Sequence, residues 1–363
     1  MSFKKGSASR TAIFVLCFSL FLLFLFCPKA TSAELLRGLK LCADTLIPTL
    51  FPYMVISEML VRSETISFIA PAVGRVSERI FGVSGASGAA MFIGLLCGFP
   101  VGAKIIAGLF ESGVISKEEA ERALGLCSLP SPPFLIFIIG ERLFGSRAAG
   151  LFLYFNLLAV TLIYGVITRK PRHMPINHAK TCISPPIFTV FTESVSSAAN
   201  AIIKVCAFVT FFSALTGGLA SLSDGISPTI KTIFFSFFEL TSGVAACSAL
   251  SSRTLGFVIA SAAAGWSGLS VFCQIFSISR TKNVSVSMRG YLLSKAITAA
   301  ASSAVTAICV RIFPSLVPRI TPAEDAFSIV SVFPRIFTSS VNIIFIISVF
   351  IYLIKKLDRQ HNI

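Results

Sequence analysis

The chain has 363 residues, of which 55% are hydrophobic and only 13% charged. Soluble globular chains carry about 25% charged residues, so a water-covered globular fold is excluded and most of the surface must face lipid. The net charge of +15 falls in short loops and at both ends, as the positive-inside rule places basic residues. No basic stretch interleaves with aromatics in the way that stacks bases. The lipid bilayer is therefore an expected partner and nucleic acid is not.

The N-terminus reads Met1-Ser2-Phe3-Lys4-Lys5, then Arg10, then an uncharged run over 11–27. A basic flank before a short apolar core fits a secretory signal, and Thr31-Ser32-Ala33 offers a cleavage site. A first membrane helix is preferred over that alternative, because the rest of the chain is itself membranous. Further apolar segments cover 44–60, 87–110, 123–140, 148–168, 201–222, 232–252, 254–279, 291–313 and 336–354. A span needs about 20 apolar residues, and 148–168 is the clearest. It ends at Arg169-Lys170-Pro171-Arg172, a loop expected in the cytoplasm. Lys355, Lys356 and Arg359 argue the same for the tail.

The expected fold class is an all-α polytopic membrane protein with about 8–10 membrane segments, two weakly repeated halves and re-entrant or broken helices. The expected organisation is an N-terminal helix over 1–33, one repeat over 34–168, a basic cytoplasmic loop over 169–192, a second repeat over 193–313, and a C-terminal helix with a basic tail over 314–363.

Interruptions carry the functional signal. Segment 87–110 holds Gly88, Gly94, Gly98, Gly102 and Gly108, with Pro100 in its middle. Proline removes a helix donor, and a break at membrane depth needs protein or water to satisfy the backbone. A re-entrant hairpin or a broken helix is expected there. Segment 254–279 has the same character around Gly265-Trp266-Ser267-Gly268, with close packing of small residues as the alternative. The halves align as Asp44–Ser57 with Asn200–Ser213, Gly98 with Gly265, and Ser116 with Ser285. Paired interrupted helices in two halves point to a transport site.

Intramembrane charge is costly and marks function by default. Lys104, just after the Gly98–Ala103 break, is placed to attract an anion beside a helix N-terminus. Glu239 interrupts a phenylalanine-rich run and precedes Thr241 and Ser242; it could take a proton or a cation, or pair with a lysine. Lys204 and Lys295 lie near segment starts and are expected to snorkel. Ser116 with Glu119 fits a capping box. After it, Ser128, Ser131 and the prolines Pro130, Pro132 and Pro133 form a strip that could present carbonyls and hydroxyls to a solute. Gly268, Ser270 and Gln274 belong to the second break.

The ten cysteines form no Cys-x-x-Cys pair and read as small hydrophobes. The histidines His173, His178 and His361 lie in polar stretches. No metal site and no cofactor are expected. No Walker A loop, His-Glu-x-x-His motif or serine hydrolase elbow occurs, so no enzyme activity is expected.

The run Gly94-Leu95-Leu96-Cys97-Gly98-Phe99-Pro100-Val101-Gly102-Ala103-Lys104 resembles the signature of the sporulation integral membrane protein family called YlbJ. So do Leu109–Ser116, Glu239-Leu240-Thr241-Ser242-Gly243 and Gly265–Val271. The resemblance spans 34–313. It implies a nucleoside recognition, or gate, domain similar to the core of concentrative nucleoside transporters, with two inverted repeats and helical hairpins. It also implies a role in endospore formation and passage of dipicolinic acid across the outer forespore membrane. The family's strip after the capped helix carries asparagines followed by Ser-Gly-Pro, where this chain has Cys127-Ser128-Leu129-Pro130-Ser131-Pro132.

The expected function is a sporulation membrane transporter or facilitator for a small anionic solute, dipicolinic acid first. The alternatives are a nucleoside-like solute carrier and a non-transporting scaffold or assembly factor. The expected solute-binding residues are Gly98, Pro100, Gly102, Lys104, Ser128, Ser131, Glu239, Thr241, Ser242, Gly268, Ser270 and Gln274. The protein is expected to be multi-pass in the cell membrane or outer forespore membrane, with a homo-oligomer left open.

Overall fold

The computed structural model describes residues 3–63, 66–169, 186–223, 225–279 and 287–317, all within one unit, Met1–Ala323. The expected segment 336–354, the basic tail, most of the 169–192 loop, Cys182, Arg280, Lys282 and the three histidines lie outside the described residues. The described elements are all helical.

Helix α1 (Phe3–Phe26) stops at Cys27, and α2 (Pro28–Leu41) begins with a proline at its first position, where the missing N–H costs nothing. One π-wound turn, Cys42–Leu46, joins α2 to α3 (Ile47–Arg62). Together they make a single apolar span, Pro28–Arg62. The boundary expected at 34 thus falls inside α2. Helices α4 (Ile66–Phe81) and α5 (Gly85–Cys97) meet at 92°. The corner is tied from α7 (Lys117–Leu126): Glu119 accepts the Ser84 N–H at 2.6 Å and the Ser87 hydroxyl at 2.7 Å, and Arg122 donates to the Phe81 and Gly82 carbonyls. Ser116 caps α7 through the Glu119 N–H at 3.2 Å, which is one half of the expected capping box; the Glu119 carboxylate is turned to Ser84 and Ser87 instead.

Between α5 and α7, α6 (Phe99–Glu111) folds back on α5 about Gly98, whose φ of +96° suits glycine. A Cβ on Gly94 would lie 2.8 Å from the Gly102 Cα. In a continuous helix residues eight apart are separated by about 12 Å, so 85–111 is a hairpin. The chain then loses helical form over 127–131 and resumes in a π-wound segment, Phe134–Leu143, followed by α8 (Arg147–Ile167).

The second half runs α9 (Ile187–Ser221), α10 (Pro228–Phe238), α11 (Leu240–Ser248), α12 (Arg253–Trp266), α13 (Gly268–Ser279) and α14 (Arg289–Ile312). Helix α9 takes in the end of the loop expected over 169–192. Helices α10 and α11 fold back about Glu239: a Cβ on Gly243 would lie 2.4 Å from the Ser236 Cα. Helices α12 and α13, by contrast, continue as one interrupted span, Arg253–Ser279, with Ser267 at φ +72° between them.

Each half thus holds a hairpin, 85–111 and 228–248, followed by a helix whose first turn is capped by a serine, Ser116 for α7 and Ser252 for α12. Ser285, the expected counterpart of Ser116, lies outside the described residues.

Among the described residues, five helices are long and apolar enough to cross a bilayer: Pro28–Arg62, Arg147–Ile167, Ile187–Ser221, Arg253–Ser279 and Arg289–Ile312. The bent pair Ala70–Phe81 with Gly85–Cys97 makes a sixth where it is counted as one span. Of the other expected segments, 87–110, 123–140 and 232–252 are divided into half-helices, Arg10–Phe26 is a shorter apolar helix, and 336–354 lies outside the described residues. A 13-residue half reaches about 20 Å, short of a hydrocarbon core about 30 Å thick.

The core that holds these elements is partly polar. Leu129, Leu153, Leu240, Val244, Phe257 and Ala260 share one buried cluster. Beside it, α8, α12 and α14 are stitched together. The Asn156 amide donates to the Ser302 carbonyl at 2.9 Å and to Thr306 Oγ1 at 3.0 Å, and the Thr306 hydroxyl donates to Ser261 Oγ at 2.9 Å. A Cβ on Gly265 would lie 2.7 Å from the Ala299 Cα, so the small residues of α12 do pack a neighbouring helix closely. Outward positions such as Phe155, Ile163, Phe188, Ile203 and Ile308 are exposed, as a lipid-facing surface requires.

Candidate solute-binding site

The four interruptions form two touching pairs. In the first, the tip of hairpin 85–111 rests on the non-helical strip after α7. A Cβ on Gly98 would lie 3.0 Å from the Ser131 Cβ, and one on Gly102 would lie 2.6 Å from the Cys127 carbonyl oxygen. Glycines at 94, 98 and 102 therefore let backbone meet backbone. Pro100 is buried in the first turn of α6. The Ser128 hydroxyl is buried and donates to the Leu124 carbonyl at 2.7 Å, so it closes the end of α7. Ser131 stays partly exposed.

In the second pair, the tip of hairpin 228–248 rests on the break between α12 and α13. A Cβ on Gly268 would lie 3.0 Å from the Leu240 nitrogen and 3.3 Å from the Glu239 Cα. Glu239 is 2% exposed. Its carboxylate accepts the Ser242 N–H at 2.6 Å and the Thr241 hydroxyl. It thus caps α11, where a carboxylate also suits the helix dipole. No ion pair joins it to a lysine among the described residues. The Gln274 amide donates to Ser270 Oγ at 3.2 Å, and both residues are buried.

The pairs are joined. Helix α13 packs against α6 of the first hairpin as well as α10 of the second. Leu129 from the first break and Leu240 from the second tip lie in the same apolar cluster, with Phe99 packed on it.

Lys104 is placed differently from its expected role. It forms an ion pair with Glu58 of α3 at 3.3 Å, the two side chains being 10% and 13% exposed. Glu58 also pairs with Arg62, which reaches Glu193 of α9. The charge of Lys104 is therefore offset inside an α3–α6–α9 network and does not stand free at the Gly98 tip. Lys204 is exposed on α9, as expected for a snorkelling residue.

Lys295 is not snorkelling. It is 1% exposed, and its ammonium donates to the Ser128 carbonyl in the first break. The ring of Tyr291 lies 5.7 Å from it. The sequence holds the signal that places it: Tyr291, Lys295, Thr298, Ser302 and Thr306 recur every three to four residues, the inward stripe of one helix face, and all are buried.

No family model matches the chain, and no solved structure matches it. The sporulation integral membrane protein YlbJ of Bacillus subtilis (strain 168) is 26% identical over 289 residues, which cover 69% of this chain and 71% of that protein. This likeness supports the YlbJ family. The match agrees with the multi-pass helical fold described above.

Proposed function

We propose that this chain is a sporulation membrane transporter or facilitator, not an enzyme, and that it carries a small anionic solute. Dipicolinic acid is the proposed solute and the outer forespore membrane the proposed site of action. The reading rests on one observation: two hairpin tips each close on a broken helix, Gly98 on Ser131 and Glu239 on Gly268. Interrupted helices repeated in two halves are the usual construction of a solute site near the bilayer midplane.

An anionic solute suits the chemistry of these breaks. The N-terminal ends of α6 and α13 point partial positive charge at the interruptions. Ser131 and the Ser270–Gln274 pair add neutral donors. Lys104 contributes through its network with Glu58 rather than as a free charge. The two gate-type repeats are proposed as the elements α5–α8 and α10–α14.

The test is uptake of dipicolinate into proteoliposomes containing the full chain, with a nucleoside as the parallel solute. Saturable dipicolinate uptake is the expected result. Uptake of the nucleoside alone would replace the solute, and uptake of neither would favour a scaffold role in spore formation.

A further inference from the structure

We infer that Lys295 is a tethered cation: its ammonium fills, at the break after α7, the place that a diffusible monovalent cation would otherwise take. Helix α7 ends at Leu126, and the chain is non-helical over 127–131. Two features at this point favour positive charge. The C-terminal end of a helix carries partial negative charge. The carbonyls freed by the break have no water to bond inside a bilayer. In transporters with discontinuous helices, such carbonyls and half-helix ends coordinate sodium or protons.

Here the donor comes from the chain itself. The Cys127 carbonyl is walled in by Gly94 and Gly102, on which a Cβ would lie 2.7 and 2.6 Å from its oxygen. The Ser128 carbonyl accepts from Lys295 on α14. The Ser128 hydroxyl is already committed to Leu124. Lys295 takes part in no ion pair with a carboxylate among the described residues. A buried ammonium without a counter-ion is strongly destabilising, so the helix end and the carbonyl must supply the compensation. The second break differs. Ser267 donates its N–H to the Ala263 carbonyl at 2.7 Å, and the Trp266 indole donates to the Phe237 carbonyl at 3.0 Å. No lysine is placed there, and the asymmetry marks Lys295 as specific to the first break.

The experiment is thermal unfolding of the full chain in detergent, in choline chloride, sodium chloride or potassium chloride at equal ionic strength. Wild type is expected to unfold at one temperature in all three salts. Lys295→Met is expected to unfold at least about 4 °C lower in choline, a shift on the order of 3 kcal/mol for a chain this size, and to regain most of that loss in sodium or potassium. Lys295→Gln, which keeps an N–H donor but no charge, should behave as Lys295→Met does. The proposal is overturned by a Lys295→Met chain that is indifferent to the cation or folds in none of the salts. It is equally overturned by wild type that sodium stabilises over choline, or by Lys295→Gln matching wild type in choline. The readout is the folded state rather than flux, so it is separable from the solute proposed above.

Discussion

Gly268 lies directly against Glu239, with its Cα hydrogen occupying the space where any side chain would meet the Leu240 nitrogen and the Glu239 backbone. Its φ of +84° also lies in the left-handed region. Two independent constraints therefore require glycine at the point where the second hairpin tip closes on the broken span.

The first prediction follows from that contact. Gly268→Ala should lower the stability of the solubilised protein by about 1–2 kcal/mol for the backbone conformation alone. The clash with Leu240 N adds to this. Dipicolinate uptake per folded molecule should fall as well, because the tip can no longer seat. Unchanged uptake with an unchanged melting temperature would show that the tip does not close on Gly268 in the membrane.

Glu239 yields a second prediction through its capping role. Glu239→Ala should cost about 1 kcal/mol, the usual loss for a side-chain cap. Glu239→Gln retains an acceptor oxygen for the Ser242 N–H and should lose less. Melting curves of the two variants side by side decide it. Equal losses would mean that the charge, not the hydrogen bond, holds the start of α11.

The breaks themselves were legible because each is written in residues foreign to an apolar helix: Gly98 and Pro100, the prolines after Ser128, Glu239, and the Gly265–Gly268 run. The direction the chain takes after each break was not. Whether a segment folds back or continues depends on what faces what across the break, such as Gly94 on Gly102 or Gly243 on Ser236. Periodicity within one segment does not encode that. The same limit explains the lysines. Lys104 meets Glu58 from a helix far earlier in the chain, and Lys295 meets Ser128 from the other half. Local position near a segment start suggested snorkelling for Lys295, whereas the polar stripe from Tyr291 to Thr306 marks the face that turns inward.

Close backbone packing in the first hairpin leads to a third prediction. Gly94→Val or Gly102→Val forces a side chain into the Cys127 carbonyl, which a bare Cβ would already approach to 2.7 and 2.6 Å. Overpacking of this kind costs about 1–3 kcal/mol. Gly113→Ala is the control for a glycine near the same hairpin with open space around it. Its φ is also positive, so alanine there carries the left-handed backbone cost of about 1–2 kcal/mol with no neighbour to move. A larger loss for Gly113→Ala than for Gly102→Val would contradict the hairpin geometry.

A fourth prediction separates two roles for Lys104. If its charge is used by Glu58, removing both partners should restore much of what removing one destroys. Lys104→Met leaves Glu58 half-buried beside Arg62, and Glu58→Gln leaves Lys104 unpaired. The double variant should be more stable than the sum of the single losses implies, by about 0.5–3 kcal/mol of coupling. Dipicolinate uptake should recover in parallel. Stability that recovers while uptake stays lost would return Lys104 to direct contact with the solute.

The last prediction uses the chain's single tryptophan. Trp266 ends α12 at the second break, donates its indole N–H to the Phe237 carbonyl at 3.0 Å, and stacks on the Phe237 ring with centroids 5.3 Å apart. It thus reports on whether α10 remains docked against the broken span. Seating of a solute between tip and break should change the exposure and packing of this indole, and with them its emission. Excited at the red edge of its absorption, to avoid the solute's own bands, Trp266 emission should shift saturably with dipicolinate. The concentration dependence should match that of uptake. Phe237→Leu removes the stacked ring and should alter the starting emission while leaving the saturation point near that of wild type. A shift that is linear in solute, or identical with an unrelated dicarboxylate, would show that the second hairpin does not respond to binding.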